Sequence, residues 1–312
     1  MSRVLTPGSA QSRRIEFGRR VALLGDDANR AIGICEHHDR RDPTLQADIA
    51  EFHTLYRHLS SSQQLGFERF CIERWFLVRN FMRRERLARC LVIDSDVLLF
   101  CDVPYEAHRL REFAMTFARW DAVRRIPHCN FIGSLAAIED FCAYVLETYR
   151  DPDRLAKLRN ANLKKRNQDW ISDMSLFYDW GSRATYPVAL IDQPQADEVF
   201  DAAIDDVQDY VPAGYLPGLL RRWKKIEFRD GRPYAFSKSD GRAIRMKCLH
   251  YHGPFKTLMT KHAQGQSEGR REAFVLLGKK LGRWPSRVAV FCRNYVAPRF
   301  RPRGASPGDQ IR

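Results

Sequence analysis

The 312-residue sequence has no apolar run approaching the ~20 residues that a membrane-spanning helix needs. Its first twenty residues, MSRVLTPGSAQSRRIEFGRR, have no apolar h-region, so no signal peptide is expected. None of the eight cysteines (35, 71, 90, 101, 129, 142, 248 and 292) forms a C-x-x-C pair. Several sit inside apolar runs, which is the usage of small buried hydrophobes in a reducing compartment and not of a disulfide frame or a zinc site. No internal repeat is visible. The expected protein is therefore cytoplasmic, either soluble or peripheral to the inner face of the membrane.

Acidic residues are comparatively few. Lys and Arg number 52 against 38 Asp and Glu, a formal charge of +14. Such a surplus favours anionic partners: nucleotides, phosphorylated glycans, anionic lipid or nucleic acid. Residues 270–303 hold ten Lys/Arg and one acid (10 − 1 = +9), so much of the excess belongs to the C-terminal segment. Within it, Phe274, Leu277, Leu281, Trp284, Val288, Phe291 and Tyr295 interleave with Lys279, Lys280, Arg283, Arg287 and Arg293. This is the pattern of an interfacial helix on an anionic membrane surface, or of a helix packed on the body with its charged face in water. No nucleic-acid recognition module is present.

Hydrophobic residues make up 44% of the chain and charged residues 29%, which permits a packed core and argues against wholesale disorder. Residues 1–20 read as a flexible N-terminus, 21–262 as one domain, and 263–312 as the basic segment and tail. Periodicity predicts a short strand over 21–25, helices over 44–59 and 67–83, and a buried parallel strand over 90–100. On the second helix Phe67, Phe70, Cys71, Trp75, Val78 and Met82 would line the core face. Further strands are expected over 113–118 and 129–135, and helices over 137–149, 152–162 and 174–180. After about 185 the chain turns β-rich. Asp230-Gly231 marks a hairpin within 224–237, and a strand over 243–249 leads into His250-Tyr251-His252-Gly253. Strands alternating with helices, then a β-rich section, predict an α/β mixed sheet flanked by helices with a smaller β-rich portion.

The chemistry concentrates in two places. Asp94-Ser95-Asp96 lies in the apolar run CLVIDSDVLLF. On a strand, residues two apart share a face, so both carboxylates could grip one hard cation such as Mn²⁺ or Mg²⁺. A second D-x-D, Asp151-Pro152-Asp153, reads as a helix-start loop. The other segment is His250-x-x-Gly253-x-x-Lys256. An imidazole with two carboxylates suits Mn²⁺, Gly253 lets backbone approach a phosphate, Lys256 supplies positive charge, and Pro254 stiffens the loop. His252 is an alternative ligand.

Together these segments resemble the GT-A glycosyltransferases, especially the retaining group that includes glycogenin and bacterial lipopolysaccharide galactosyl- and glucosyltransferases. The likeness spans roughly 65–260. It implies a GT-A (Rossmann-like) fold, a nucleotide-diphosphate sugar donor of the UDP-sugar type, and a glycan, glycolipid or protein acceptor. By the same resemblance Asp94, Asp96 and His250 would be metal ligands, and Gly253 and Lys256 would hold the diphosphate. Arg74 and Ser95 would face the donor, and Asn130 and Gly133 would shape the sugar pocket. Asp173 would contact donor hydroxyls or act as a base, with Asp169 as its neighbouring competitor and helix capping as the simple alternative. The chain departs from the family in two respects. Only about 20 residues precede the Val21 strand, and Thr257 stands where the family has a Trp. Asp26, Asp27 and Asn29 could contact the nucleotide or simply form a turn. A sugar-nucleotide pyrophosphorylase would open with a Gly-rich basic loop, which is missing. A non-catalytic membrane- or polyanion-binding protein on a degenerate scaffold is the remaining alternative.

Overall fold

The computed structural model describes residues 20–32, 35–59, 64–166, 170–213 and 223–267. The expectations for residues 1–19, for Asp169 and for the basic segment beyond 267 lie outside the described residues.

The architecture is mixed α/β. Strands β1 (Ala22–Gly25) and β2 (Glu36–Asp39) pair in parallel. Helix α1 covers only Ile49–Leu55, and the 44–59 expectation fails at its start. Asp42 caps a 3₁₀ turn over Pro43–Leu45, and Asp48 then takes a left-handed φ of 64° that breaks the helical path. Helix α2 runs Leu65–Arg84. Its core face is the expected one in part, since Trp75 and Met82 are in the core and Val78 packs against it. Ile72, Trp75, Phe76 and Met82 are buried, whereas Phe67 is 58% exposed and Phe70 38%.

The 90–100 run is not one parallel strand. It divides into β3 (Cys90–Ile93) and β4 (Val97–Leu99), joined by a turn at Asp94-Ser95-Asp96 in which Val97 N donates to Asp94 O. Strand β3 pairs antiparallel with β7 (Cys129–Ile132), and β4 pairs antiparallel with β12 (Ala243–His250). The two acids therefore share a turn and not the face of a strand.

Helix α3 (Val103–Arg109), capped by Asp102, leads into β5 (Met115–Asp121) and β6 (Arg124–Ile126). Strand β5 pairs antiparallel with β6 and parallel with β8 (Val188–Leu190). Strands β5 and β7 are stapled by polar bonds. Asn130 Oδ1 accepts from Thr116 N at 3.2 Å, Thr116 Oγ1 from Phe131 N at 2.9 Å, and Ala114 O from Gly133 N at 2.8 Å. Helices α4 (Leu135–Arg150), α5 (Pro152–Arg166) and α6 (Asp173–Gly181) follow, with Asp151 capping α5 as its position predicts. A main core joins α1, α2, α4 and α6 to Met115, Phe117 and Ile132.

The β-rich portion is a sheet in the order β10 (Glu227–Arg229), β11 (Arg232–Phe236), β12 and β4, with β9 (Glu198–Phe200) parallel to β12. Asp230 and Gly231 both have positive φ, 50° and 72°, which is the turn that Asp-Gly favours between hairpin strands. A 3₁₀ turn over Gly253–Leu258 and the short helix α7 (Met259–Ala263) close the described chain. Val97, Cys129, Phe131, Phe200 and Cys248 pack together and join this sheet to β7. No helix among the described residues is long and apolar enough to cross a membrane.

Gly133 is fixed by space. A Cβ there would stand 2.2 Å from Phe113 O. Backbone cannot yield as a flexible side chain can, so Gly133→Ala is expected to lower unfolding free energy by about 2 kcal/mol or more, read as a shift in denaturant midpoint at constant slope.

Candidate functional site

Two distant segments meet because β4 lies against β12. In that pairing Val97 faces His250, and Tyr251 N donates to Asp96 O at 2.8 Å. His250 Nε2 consequently stands 3.7 Å from Asp96 Oδ1, and Lys256 Nζ lies 2.9 Å from Asp96 Oδ2. Gly253 begins the 3₁₀ turn that carries Lys256. Its φ of 57° is what demands glycine, since a Cβ there would meet nothing within 4 Å.

His250 is held from three sides. Its Nδ1 lies 2.7 Å from Ala202 O, its backbone N donates to Asp201 Oδ2 at 3.0 Å, and its ring stacks on His128 at 4.3 Å. With Nδ1 as the donor to Ala202 O, the Nε2 lone pair is left toward Asp96. Asp201 is itself anchored by Lys224, whose Nζ reaches Asp201 Oδ1 at 2.5 Å and Ala203 O at 2.8 Å, with both residues buried. Burial and the neighbouring His250 keep His128 well below the usual histidine pKa, so its ring is neutral.

The other acids gather around Arg74. Its guanidinium bridges Asp94 at 2.5 Å and Asp173 at 2.9 Å, and Trp75 Nε1 adds a bond to Asp173 Oδ2 at 3.1 Å. Burial pushes the Asp94 carboxyl up; Arg74 opposes this, while Asp96 and Asp173 reinforce it. Asp173 is not the helix cap. Ser172 and Ser175 form a capping box at the start of α6, which leaves Asp173 Oδ2 for Arg74 and Trp75, while Oδ1 accepts from Met174 N at 2.9 Å.

These groups line a cleft of about 2300 Å³, in which Asp96, His250 and Lys256 form one group, Arg74 with Asp94 and Asp173 another, and Ser95, Phe67, Phe70 and Cys71 also take part. Asn130 does not reach it. That side chain is wholly buried and gives its oxygen to β5, and Gly133 serves the same β5–β7 approach at the cleft margin. His252 also lines the cleft, but its Nε2 lies 2.6 Å from Asp205 Oδ1 and not beside Asp96. Asp26 caps its own turn through Ala28 N.

A divalent cation fits this donor set in part. His250 Nε2 and Asp96 converge, and the Ala202 contact orients the ring as it would a ligand histidine. Asp94 is turned to Arg74, and among the described residues no three His, Cys, Asp or Glu side chains form a ready metal cluster.

Sequence reasoning missed Asp201, Lys224 and Glu68. A buried Lys–Asp pair separated by 23 residues leaves no local pattern. Nothing in the sequence separates Glu68 from a solvated helix charge, yet it is only 3% exposed. No known family model matches the chain, and neither does any curated protein.

Two predictions follow from these burials. Lys224→Met strands Asp201 without its cation and is expected to cost about 3–5 kcal/mol in chemical denaturation. Burial and the Asp173 charge raise Glu68 to about 7. The unfolded chain releases that proton near pH 4.5, while the folded protein keeps it to about 7. Stability contributed at this position therefore falls as pH rises through that window. Glu68→Gln should match wild type at pH 4.5 and exceed it at pH 8 by on the order of 2 kcal/mol, measured by thermal denaturation at both pH values.

Proposed function

We propose that the protein is a glycosyltransferase of GT-A type that moves a sugar from a nucleotide-diphosphate donor, a UDP-sugar, to a glycan, glycolipid or protein acceptor. The observation that carries this reading is the meeting of Asp96, His250 and Lys256 in a large cleft, where two motifs some 150 residues apart bring a carboxylate, an imidazole and an ammonium group together. Mixed α/β architecture supports it, and so does the Arg74 bridge between Asp94 and Asp173.

In this reading Lys256 takes the diphosphate, exchanging its contact with Asp96 for the more highly charged ligand. Gly253 lets the following turn approach the phosphate oxygens. Asp96 and His250 would hold a Mn²⁺ or Mg²⁺ ion, which when bound would supply positive charge to the departing diphosphate. Arg74 pairs with Asp94 and Asp173 in a partly dry site, and Asp173 accepts a hydroxyl of the donor sugar. An acceptor hydroxyl attacks the anomeric carbon as its bond to the diphosphate oxygen breaks. The nucleoside diphosphate leaves with the bonding electrons, and the hydroxyl proton is released. Likeness to the retaining group favours attack on the face the leaving group vacates.

A screen of nucleoside diphosphates with and without Mn²⁺ tests the reading. UDP with Mn²⁺ should raise Tm by about 5 °C at a hundredfold excess over Kd. Asp96→Asn and His250→Ala should each remove the metal-dependent part and lower UDP release from a UDP-sugar by about 100-fold or more. Full activity in Asp96→Asn would refute the metal assignment, and indifference of wild type to every nucleotide would refute the transferase reading.

A further inference from the structure

Glu68 has no part in the arrangement described above. It lies in the first turn of α2, lines the cleft, and is 3% exposed. Its Oε2 is buried with no hydrogen-bond partner, and Arg74 Nε, on the same helix and the same cleft, is a buried donor in the same condition. Buried polar atoms are almost always paired, because stranding one forfeits the water it gave up. Two orphans of opposite type in one cleft, one able to accept and the other to donate, match a ligand bearing hydroxyl groups, since a hydroxyl does both.

Charge narrows the ligand further. Asp94, Asp173 and Glu68 all lie on the Arg74 side of the cleft, and the Asp173 charge already acts on Glu68. A phosphate would be repelled there and belongs with Lys256 at the other wall. An uncharged polyol is tolerated. Phe67 and Phe70, in the same stretch of α2, expose apolar ring surface to the cleft and suit the carbon-bound face of a sugar ring.

We propose that Glu68 accepts a hydroxyl of the transferred sugar and sets which sugar the protein takes, an inference that rests on the nucleotide-sugar reading above. Asp173 then holds one part of the ring, and Glu68 a second hydroxyl closer to the start of α2.

Calorimetric titration of the full chain with UDP, UDP-glucose, UDP-galactose and UDP-N-acetylglucosamine, each with Mn²⁺, tests this. In Glu68→Ala the affinity for UDP should stay within about twofold of wild type, while the best-held UDP-sugar weakens about tenfold or more. Glu68→Gln, which keeps the shape and can still hydrogen-bond, should recover part of the loss. It also guards against a mere packing defect in the alanine variant. Equal losses for UDP and UDP-sugar in both variants, or no loss for either ligand, would overturn the role of Glu68 and leave the transferase reading standing. Wild type binding neither UDP nor any UDP-sugar would overturn both.

Discussion

The pairing of β4 with β12 is the constraint from which the site follows. Val97 opposite His250 fixes where the acidic turn stands relative to the imidazole, and the Tyr251–Asp96 backbone bond extends that register by one step. A slip of a single residue would turn His250 to the other side of the sheet, because strand side chains alternate. Apolar packing enforces the register: Val97 and Cys248 enter the cluster with Phe131 and Phe200, while Leu98 and Leu249 enter the one beside it. Geometry at the cleft is thus decided by hydrophobic packing, part of it (Cys248, Phe200 and Leu249) outside the cleft lining.

Electrostatics divides the cleft in two. On one side a single guanidinium serves Asp94 and Asp173, with the buried Glu68 on the same helix as Arg74. On the other, Lys256 and His250 attend Asp96. The chain supplies its own counter-ions to each group of acids, which keeps several carboxylates tolerable in poorly hydrated surroundings. Lys256, half exposed, is the one free to exchange partners. Arg74, clamped at both ends, is not.

Much of this was legible in the sequence and some was not. Asp230-Gly231 announced its hairpin because only a few residue pairs accept positive φ at both turn positions. The D-x-D and H-x-x-G-x-x-K segments pointed to each other because each is short of a partner chemically. Their convergence on Asp96, His250 and Lys256 is geometric. The single strand expected over 90–100 failed for a definite reason. An apolar run flanking two acids looks alike whether the acids ride one strand or turn between two, and only the partners β7 and β12 decide. Phe67 and Phe70 were placed in the core by periodicity, but helix α2 presents that edge to the cleft, where an apolar surface has a different use. Asn130 carried a plausible motif and turned out to staple β7 to β5, a duty that no local pattern distinguishes from ligand binding.

The acidic turn also joins two sheets, since among the described residues β3 pairs with β7 while β4 belongs with β10–β12. The polypeptide crosses between layers at Ser95, so the residues most concerned with chemistry are the seam of the fold. A chain nicked there would leave Asp94 with one fragment and Asp96 with the other. The two acids would be neighbours again only after the layers had closed on each other, which makes an assembled site a report on an assembled protein.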